Sequence, residues 1–227
     1  MSSRKILISC EHSDKIIPKA YQHLFKNGEA DLLSHKGYDP GSFEMGKYLA
    51  RELHVPIFYQ KVSRLLIEMN RSLHANDLFS IYTKEISESK KNELIDKYYI
   101  PYRSEVEGKI IEHLHRGEKV LHISMHTFTP SLNGVERMVD IGILCDEEKP
   151  MELEFSNSWR EKLSNQLSDK LVMINMPYNG ADDGFTTYLR SKYKESDYLG
   201  IELEINQKYI NTDSWSLIKK ALVKTLI

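Results

Sequence analysis

Cysteine is scarce in this sequence, and long apolar runs are missing. The two cysteines, Cys10 and Cys145, both lie in apolar, strand-like segments. They are therefore predicted to be buried thiols in a reducing compartment rather than parts of a disulfide scaffold. No apolar segment is long enough to span a bilayer, and the run that follows the polar start at residues 1–5 is too short for a secretory signal. We expect a cytoplasmic protein with no membrane partner.

An excess of charge of either sign is also missing. The 31 basic and 33 acidic residues give a net charge of −2, so no global field attracts the chain to nucleic acid or to an anionic membrane. Glycine and proline are few, with 11 and 7 among 227 residues, and there is no low-complexity tract or internal repeat. We expect residues 1–227 to form one domain. No pattern specifies an oligomeric state.

Strand-like apolar runs alternate with helical patterns along the chain. The predicted strands are residues 5–10, 55–60, 63–69, 120–125, 139–145, 171–174 and 201–205. The predicted helices are residues 42–53, 102–114, 151–167 and 215–226. The polar and aromatic stretch between residues 72 and 100 is predicted to run over the surface. The alternation indicates an α/β fold, a three-layer sandwich around a mixed, largely parallel sheet.

Two histidines directly follow predicted strands. His12 comes after the first strand, and His126 after the strand that begins at Val120. Ligands of such sheets bind beyond the carboxyl ends of the strands, and Asp39, just before a predicted helix, is within reach of the same edge. Two imidazoles and one carboxylate are a common catalytic zinc set that leaves a position for water or substrate. The sequence therefore favours a zinc site formed by His12, Asp39 and His126.

Structural alternatives exist for these residues. A single histidine at a strand end is more often hydrogen-bonded than bound to a metal, and Asp39 also suits a helix N-cap or a turn. Glu11 is another possible ligand in place of Asp39, although the alternation of side chains along a strand points it away from His12.

Residues 63–71, Ser-Arg-Leu-Leu-Ile-Glu-Met-Asn-Arg, place two arginines and an asparagine around a short apolar run. Guanidinium groups make planar, paired hydrogen bonds to carboxylates, which lysine does not reproduce. Arg64 and Arg71 therefore suggest an anion-binding clamp beside the metal. The default alternative is that each arginine pairs with a nearby acidic side chain such as Glu68.

Five segments, taken in order, resemble the landmarks of a known enzyme family. They are residues 10–13 (C-E-H-S, followed by I-P at 17–18), 38–42 (Y-D-P-G-S), 63–71 (S-R-L-L-I-E-M-N-R), 126–130 (H-T-F-T-P) and 201–205 (I-E-L-E-I). The order is similar to that of the N-formylglutamate amidohydrolase family, over residues 5 to 210. This resemblance implies a zinc-dependent amidase with an α/β core like that of the zinc carboxypeptidases and the phosphorylase/hydrolase-like folds.

The resemblance also implies roles for the side chains. Asn70 and Arg71 are expected to hold a substrate carboxylate. Arg64 is expected to stabilise an oxyanion or to share in carboxylate binding. Tyr178, in the segment N-M-P-Y-N-G at residues 175–180, is expected to line the pocket.

The general base is expected among two glutamates on one strand. Glu202 and Glu204 share a face because side chains alternate with period two. Glu204 matches the family's more frequent glutamate and is our choice for the base, with Glu202 as the alternative. The other interpretation of this segment is the exposed face of an edge strand.

Departures from the family pattern bear on the substrate. Asp14, Glu68 and Thr127 stand where relatives often have glycine, aspartate and serine, and residues 186–190 lack a histidine found in many relatives. We expect a zinc amidohydrolase acting on N-formylglutamate or another N-acyl amino acid, with a small carboxylate as its partner. The alternatives are a small-peptide carboxypeptidase and a carboxylate-binding protein without hydrolytic activity. A metal phosphoesterase would need more carboxylates and a second metal.

Overall fold

A six-stranded sheet forms the centre of the computed structural model, which describes residues 4–226. Its strands are β1 (Lys5–Cys10), β2 (Ile57–Tyr59), β3 (Val120–Phe128), β6 (Ile141–Leu144), β7 (Val172–Ile174) and β8 (Tyr198–Asn206), while β4 (Ser131–Leu132) and β5 (Val135–Glu136) form a separate hairpin. The strand order is β2-β1-β3-β8-β6-β7. β6 pairs antiparallel with β8, and the other neighbouring strands pair in parallel. The predicted mixed, largely parallel sheet is confirmed.

Helices cover both faces of this sheet. They are α1 (Glu29–Leu32), α2 (Ser42–Leu53), α3 (Glu88–Leu94), α4 (Ile100–His115), α5 (Pro150–Gln166), α6 (Phe185–Lys192) and α7 (Asp213–Leu226), with 3₁₀ segments at Lys19–Phe25 and Gln207–Tyr209 and a π-helical segment at Ile95–Tyr99. One core joins α2, α5 and α7 to the sheet, and a second joins α4 and α6 to its other side. The three-layer sandwich is therefore confirmed. Within residues 4–226, no helix has both the length and the apolar character needed to cross a membrane.

The alternation of side chains along β3 separates apolar from polar residues. Leu121, Ile123 and Met125 belong to the core under α2, α5 and α7. The residues between them include His122 and Ser124, which therefore face the side of α4 and α6. All nine residues of β3 are buried, so the polar ones need partners within the protein. This polar face of the central strand leads directly into the functional site.

Residues 63–69 are not a strand, and the prediction of one was wrong. They form a series of turns in which Leu66, Ile67 and Met69 are fully buried in the second core. The hydroxyl of Ser63 donates to the carbonyl of Gly37 over 2.7 Å, so the segment is tied down by turn contacts rather than by a ladder. Burial alone gave this apolar run its strand-like appearance, because a buried turn needs the same residue types.

The stretch between residues 72 and 100 is only in part a surface excursion. It contains α3, and its side chains Leu78, Leu94 and Tyr99 are buried in the second core. Six residues of the loop before α3 line one side of a cleft, namely Asn76, Asp77, Phe79, Ser80, Ile81 and Lys84.

The burial of His122 is expected to make the stability of the fold depend on pH. This histidine is fully buried between the hydroxyls of Tyr198 and Ser9, which lie 2.8 and 2.7 Å from its two ring nitrogens. Burial lowers its pKa to about 4, whereas an unfolded histidine titrates near pH 6.5. The unfolded state therefore takes up a proton first as the pH falls, and stability is lost between about pH 6.5 and about pH 4, on the order of 2 kcal/mol by about pH 4.5.

Replacing this histidine should flatten the acid limb of the stability curve. Between pH 7.5 and pH 4.5, His122→Gln is expected to lose about 2 kcal/mol less unfolding free energy than the unsubstituted protein. Urea unfolding at both pH values measures the difference. Equal losses in both proteins would show that other groups set this pH dependence.

Candidate active site

A cleft of about 710 Å³ opens where β1, β3 and β8 end. It is the kind of position in which α/β proteins bind ligands. The structure brings all eight of the site residues predicted from the sequence to its wall: His12, Asp39, Arg64, Asn70, Arg71, His126, Tyr178 and Glu204.

Side chains from two neighbouring central strands form one wall of the cleft. β3 and β8 are parallel neighbours in which Ser124 lies beside Glu202, and His126 beside Glu204. Because side chains alternate along a strand, all four project from the same face of the sheet. β8 is an interior strand, between β3 and β6, which rules out the interpretation of the two glutamates as an exposed edge.

His12, Asp39 and His126 form a buried cluster. Each offers a potential ligand atom, and these atoms lie within 4.8 Å of one another. The three residues are only 2%, 5% and 2% exposed, in that order. The Oδ2 atom of Asp39 is 3.2 Å from Nδ1 of His12 and 2.9 Å from Nδ1 of His126.

Asp39 is not the N-cap of α2. The cap position belongs to Gly41, whose backbone is left-handed with φ of 84°. The backbone carbonyl of Asp39 accepts a hydrogen bond from the hydroxyl of Ser42 over 2.8 Å. This turn leaves the carboxylate of Asp39 free to enter the cluster.

The outer nitrogen of each cluster histidine faces a buried carboxylate. Nε2 of His12 contacts Oε1 of Glu68, and Nε2 of His126 lies 3.2 Å from Oε2 of Glu11 and 2.9 Å from the hydroxyl of Ser124. An ionised carboxylate only accepts hydrogen bonds, so it is the Nε2 proton that each histidine presents to it. The two Nδ1 atoms face the carboxylate of Asp39. Burial would lower the pKa of His126, but its hydrogen bonds with Asp39 and Glu11 raise that pKa well above its usual value, so Nδ1 binds a cation only in place of a proton. This arrangement of an outer carboxylate behind each imidazole is typical of metal-binding histidines.

Glu11 supports the cluster from behind rather than joining it. It is fully buried, accepts hydrogen bonds from the hydroxyls of Ser124 and Tyr102 over 2.5 and 2.7 Å, and touches His126 on its outer nitrogen. Burial would raise the pKa of Glu11, but the contacts with His126 and Ser124 outweigh it and hold the pKa well below its usual range.

Glu204 has an unsatisfied carboxylate oxygen. Its side chain is 6% exposed, and among residues 4–226 no group forms a hydrogen bond with its Oε2 atom. Burial, with Asp39 and Glu202 nearby, raises the pKa of Glu204 to about 8 against the opposing effect of His126. Glu202, by contrast, accepts a hydrogen bond from the hydroxyl of Thr186 over 2.7 Å. Glu204 is therefore the glutamate with a buried, unpartnered oxygen beside the cluster.

These groups fit a divalent metal ion. Two Nδ1 atoms and a carboxylate oxygen converge, and an unpartnered buried carboxylate lies on the adjacent strand. Acceptors brought together in a buried site are costly unless a cation or protons lie between them. Imidazole and carboxylate ligands in a set of three suit zinc with an open position.

Both arginines of the segment 63–71 form ion pairs within the protein. Nε of Arg64 donates to Oε2 of Glu68 over 2.7 Å, and its Nη1 is 3.4 Å from Oδ1 of Asp39. Burial would lower the pKa of Arg64, but these two carboxylates raise it above its ordinary value. Nε of Arg71 donates to Asp77 over 3.0 Å. Both arginines therefore pair with nearby carboxylates, as the alternative to an anion clamp predicts. Both side chains nevertheless line the cleft.

Asn70 and Tyr178 are each oriented by a neighbouring group. The backbone N–H of Phe185 donates to Oδ1 of Asn70 over 2.7 Å, so the amide nitrogen of Asn70 is left as the donor for a ligand. Nη1 of Arg137 donates to the hydroxyl of Tyr178 over 2.9 Å, and its guanidinium lies 4.9 Å from the ring centroid.

Comparison with protein-family models decides the family. The model of the N-formylglutamate amidohydrolases matches residues 4–211 of this chain. The chain belongs to the N-formylglutamate amidohydrolase family. As a member of this family it is a hydrolase that acts on amide bonds.

Solved structures agree with the amidohydrolase fold. The chain is 25% identical to a gene product of Agrobacterium tumefaciens, with a TM-score of 0.81 over 98% of this chain and 89% of that one. It is 13% identical to an N-formylglutamate amidohydrolase from Ralstonia eutropha JMP134, with a TM-score of 0.71 over 99% and 93% of the two chains. The second likeness is one of fold alone. The comparison with curated proteins gives no significant match.

Several residues that shape the amidohydrolase site were missed from the sequence. Ser124 could have been found, because it precedes His126 by two residues and so shares its strand face. Tyr102 and Arg137 carry no such signal, since only the packing of α4 and of the loop after β5 brings them to the site.

Proposed function

We propose that this amidohydrolase is zinc-dependent and hydrolyses the amide of an N-formyl or other N-acyl amino acid, N-formylglutamate being the first candidate. We further propose that a single domain carries the whole activity. The observation that supports this function is the convergence of His12, Asp39 and His126 beside the unpartnered carboxylate oxygen of Glu204.

His12 and His126, through Nδ1, and Asp39, through its carboxylate, would hold the ion. A zinc ion in this position supplies Lewis acidity, which acidifies water and polarises a carbonyl group. Glu68 and Glu11 contact the outer nitrogens of the two imidazoles, so they would fix the ring orientations and hold the Nε2 protons, which leaves the inner nitrogens to the ion.

Glu204 moves the proton in this mechanism. Its free Oε2 takes a proton from the water that attacks the scissile carbonyl carbon. When the C–N bond breaks, the same carboxyl group delivers that proton to the departing amine nitrogen, so the products are a carboxylic acid and an amino acid. Burial raises the pKa of Glu204, and a cation held by the neighbouring cluster would favour the ionised form of this carboxylate, which is the form that accepts the proton.

Asn70, Arg71 and Arg64 determine which amides fit. The amide nitrogen of Asn70 and the guanidinium of Arg71 would hold the substrate's carboxylate. Arg64 lies nearer the cluster because it pairs with Asp39 and Glu68, so it would stabilise negative charge on the carbonyl oxygen as it develops. Tyr178, in the loop that follows β7, lines the same cleft.

A hydrolysis screen tests the proposal. Zinc-loaded protein is assayed for amine release from N-formyl and N-acetyl amino acids and from short peptides, each paired with an analogue whose α-carboxylate is an amide. We expect turnover of an N-acyl amino acid, with kcat/KM at least about 100-fold lower for the amidated analogue, because the amide of Asn70 and the guanidinium of Arg71 lose their anionic partner. Stoichiometric carboxylate binding without any turnover would instead identify a binding protein, and preferred cleavage of peptides would identify a carboxypeptidase.

A further inference from the structure

Arg103 is a buried cation surrounded by aromatic rings. It lies on α4, is 5% exposed, and its guanidinium is 4.7, 4.4 and 4.5 Å from the ring centroids of Tyr99, Phe185 and Tyr188. In the part of the chain that the structure describes, its hydrogen-bond acceptors are carbonyl and hydroxyl oxygens rather than carboxylates. Glu11 and Asp183 are near enough to act on its charge but do not bond to it, and a buried arginine without a directly bonded anion is costly.

The guanidinium holds the backbone on both sides of Asn70. Its Nη1 donates to the carbonyl of Arg71 over 2.8 Å, with a longer contact of 3.4 Å to the carbonyl of Met69. Tyr99, which Arg103 also contacts, donates its hydroxyl to the same carbonyl of Arg71 over 2.7 Å. These hydrogen bonds fix the backbone that carries the side chains of Asn70 and Arg71.

The same side chain is coupled to the group that orients Asn70. Phe185, which stacks on Arg103, is the first residue of α6, and its backbone N–H donates to Oδ1 of Asn70. Arg71 reaches the turn before α6 as well, since its Nη1 donates to the carbonyl of Asp183 over 3.2 Å. Arg103 thus connects α4 with α6 and with the backbone of Asn70 and Arg71.

Packing alone does not account for this residue. An aliphatic side chain would fill a space lined by three aromatic rings without the cost of desolvating a charge. What only a guanidinium provides here is a planar donor that stacks on rings while it donates to carbonyls.

We propose that Arg103 is the positioning residue of the carboxylate clamp, holding Asn70 and Arg71 so that their donors meet the substrate's anionic end. This inference rests on the proposed function, because it assigns Arg103 a part in recognising that substrate class. Arg103 does not touch the substrate in this scheme and acts through the backbone of the clamp.

Substitution of Arg103 separates positioning from a general structural role. Arg103→Met is expected to raise KM for the best anionic N-acyl substrate about tenfold, the scale of one lost charge-assisted hydrogen bond, with kcat within about twofold. The activity toward the amidated analogue, and the bound metal content, should not change. Arg103→Lys keeps the charge and one donor and should recover part of the loss. Arg116→Met is the matched control, since it removes an arginine at the end of the same helix that pairs with Glu112.

Binding of L-glutamate, followed by calorimetry, keeps this test independent of turnover. Weaker binding to Arg103→Met, or to Arg103→Lys if the methionine variant does not fold, supports the positioning role even if no amide is hydrolysed, in which case only the proposed activity fails. Unchanged KM and unchanged glutamate affinity in an active enzyme would overturn the role of Arg103 and leave the proposed function intact. Equal losses for anionic and amidated substrates would show that Arg103 only stabilises the fold.

Discussion

Glu204→Gln is expected to lower kcat about a thousandfold, with KM within about threefold of the unsubstituted enzyme. Glutamine keeps the shape of the side chain on β8 but cannot take a proton from water. Its amide also offers no charge to complement a cation at the neighbouring cluster. The measurement is steady-state kinetics on the best substrate of the screen, together with the zinc content of both proteins by mass spectrometry.

Glu202→Gln is the matched control for this prediction. Glu202 lies on the same strand and the same face, two residues away, but its Oε1 accepts a hydrogen bond from Thr186. We expect kcat to fall no more than about tenfold in this variant, since the proton transfer is left in place. If Glu202→Gln lost the larger share of activity while Glu204→Gln stayed active, the general base would be Glu202.

His126→Ala is expected to abolish both metal binding and activity. Nδ1 of His126 is one of three converging donor atoms, and a site with two remaining protein ligands holds zinc far more weakly. We expect the zinc content to fall from about one equivalent to near zero, and kcat/KM by at least about a thousandfold. Atomic absorption after gel filtration measures the metal, and circular dichroism checks that the fold is retained.

His35→Ala provides the control for the metal prediction. His35 lines the same cleft but lies outside the cluster of three, so its loss should leave the zinc stoichiometry unchanged. Full zinc occupancy in His126→Ala would contradict the proposed ligand set, and activity that survives complete chelation would contradict the zinc dependence itself.

The sequence predicts the cluster because its geometry follows from local rules. His12 follows β1 and His126 lies near the carboxyl end of β3, two strands that are apolar and continuous enough to be recognised, and parallel strands bring their carboxyl ends to one edge. The common face of Glu202 and Glu204 follows from period-two alternation. None of this depends on the details of packing between distant elements.

Contacts between elements that are distant in sequence could not be predicted from the sequence pattern. Tyr102 meets Glu11, and Arg103 meets the carbonyl of Arg71, only because α4 packs across the polar face of the sheet. The turns of residues 63–69 were mistaken for a strand because burial selects the same apolar residues in both. The periodicity of apolar residues indicates which residues are buried and whether a segment is a helix or a strand. It does not indicate which helix packs on which face of the sheet.

The side chains proposed for catalysis and those proposed for substrate binding come from different kinds of structure. His126 and Glu204 are held side by side by the hydrogen-bond ladder in the middle of the sheet, where a slip of one residue would turn either side chain to the opposite face. The side chains proposed to read the substrate, Asn70, Arg71 and Tyr178, come instead from irregular segments around the rim. Changes in the rim are therefore expected to alter which acyl amino acid is accepted, while the proposed metal ligand and general base on the two strands stay in place. A library that varies the rim alone should yield new specificities at little cost in folding.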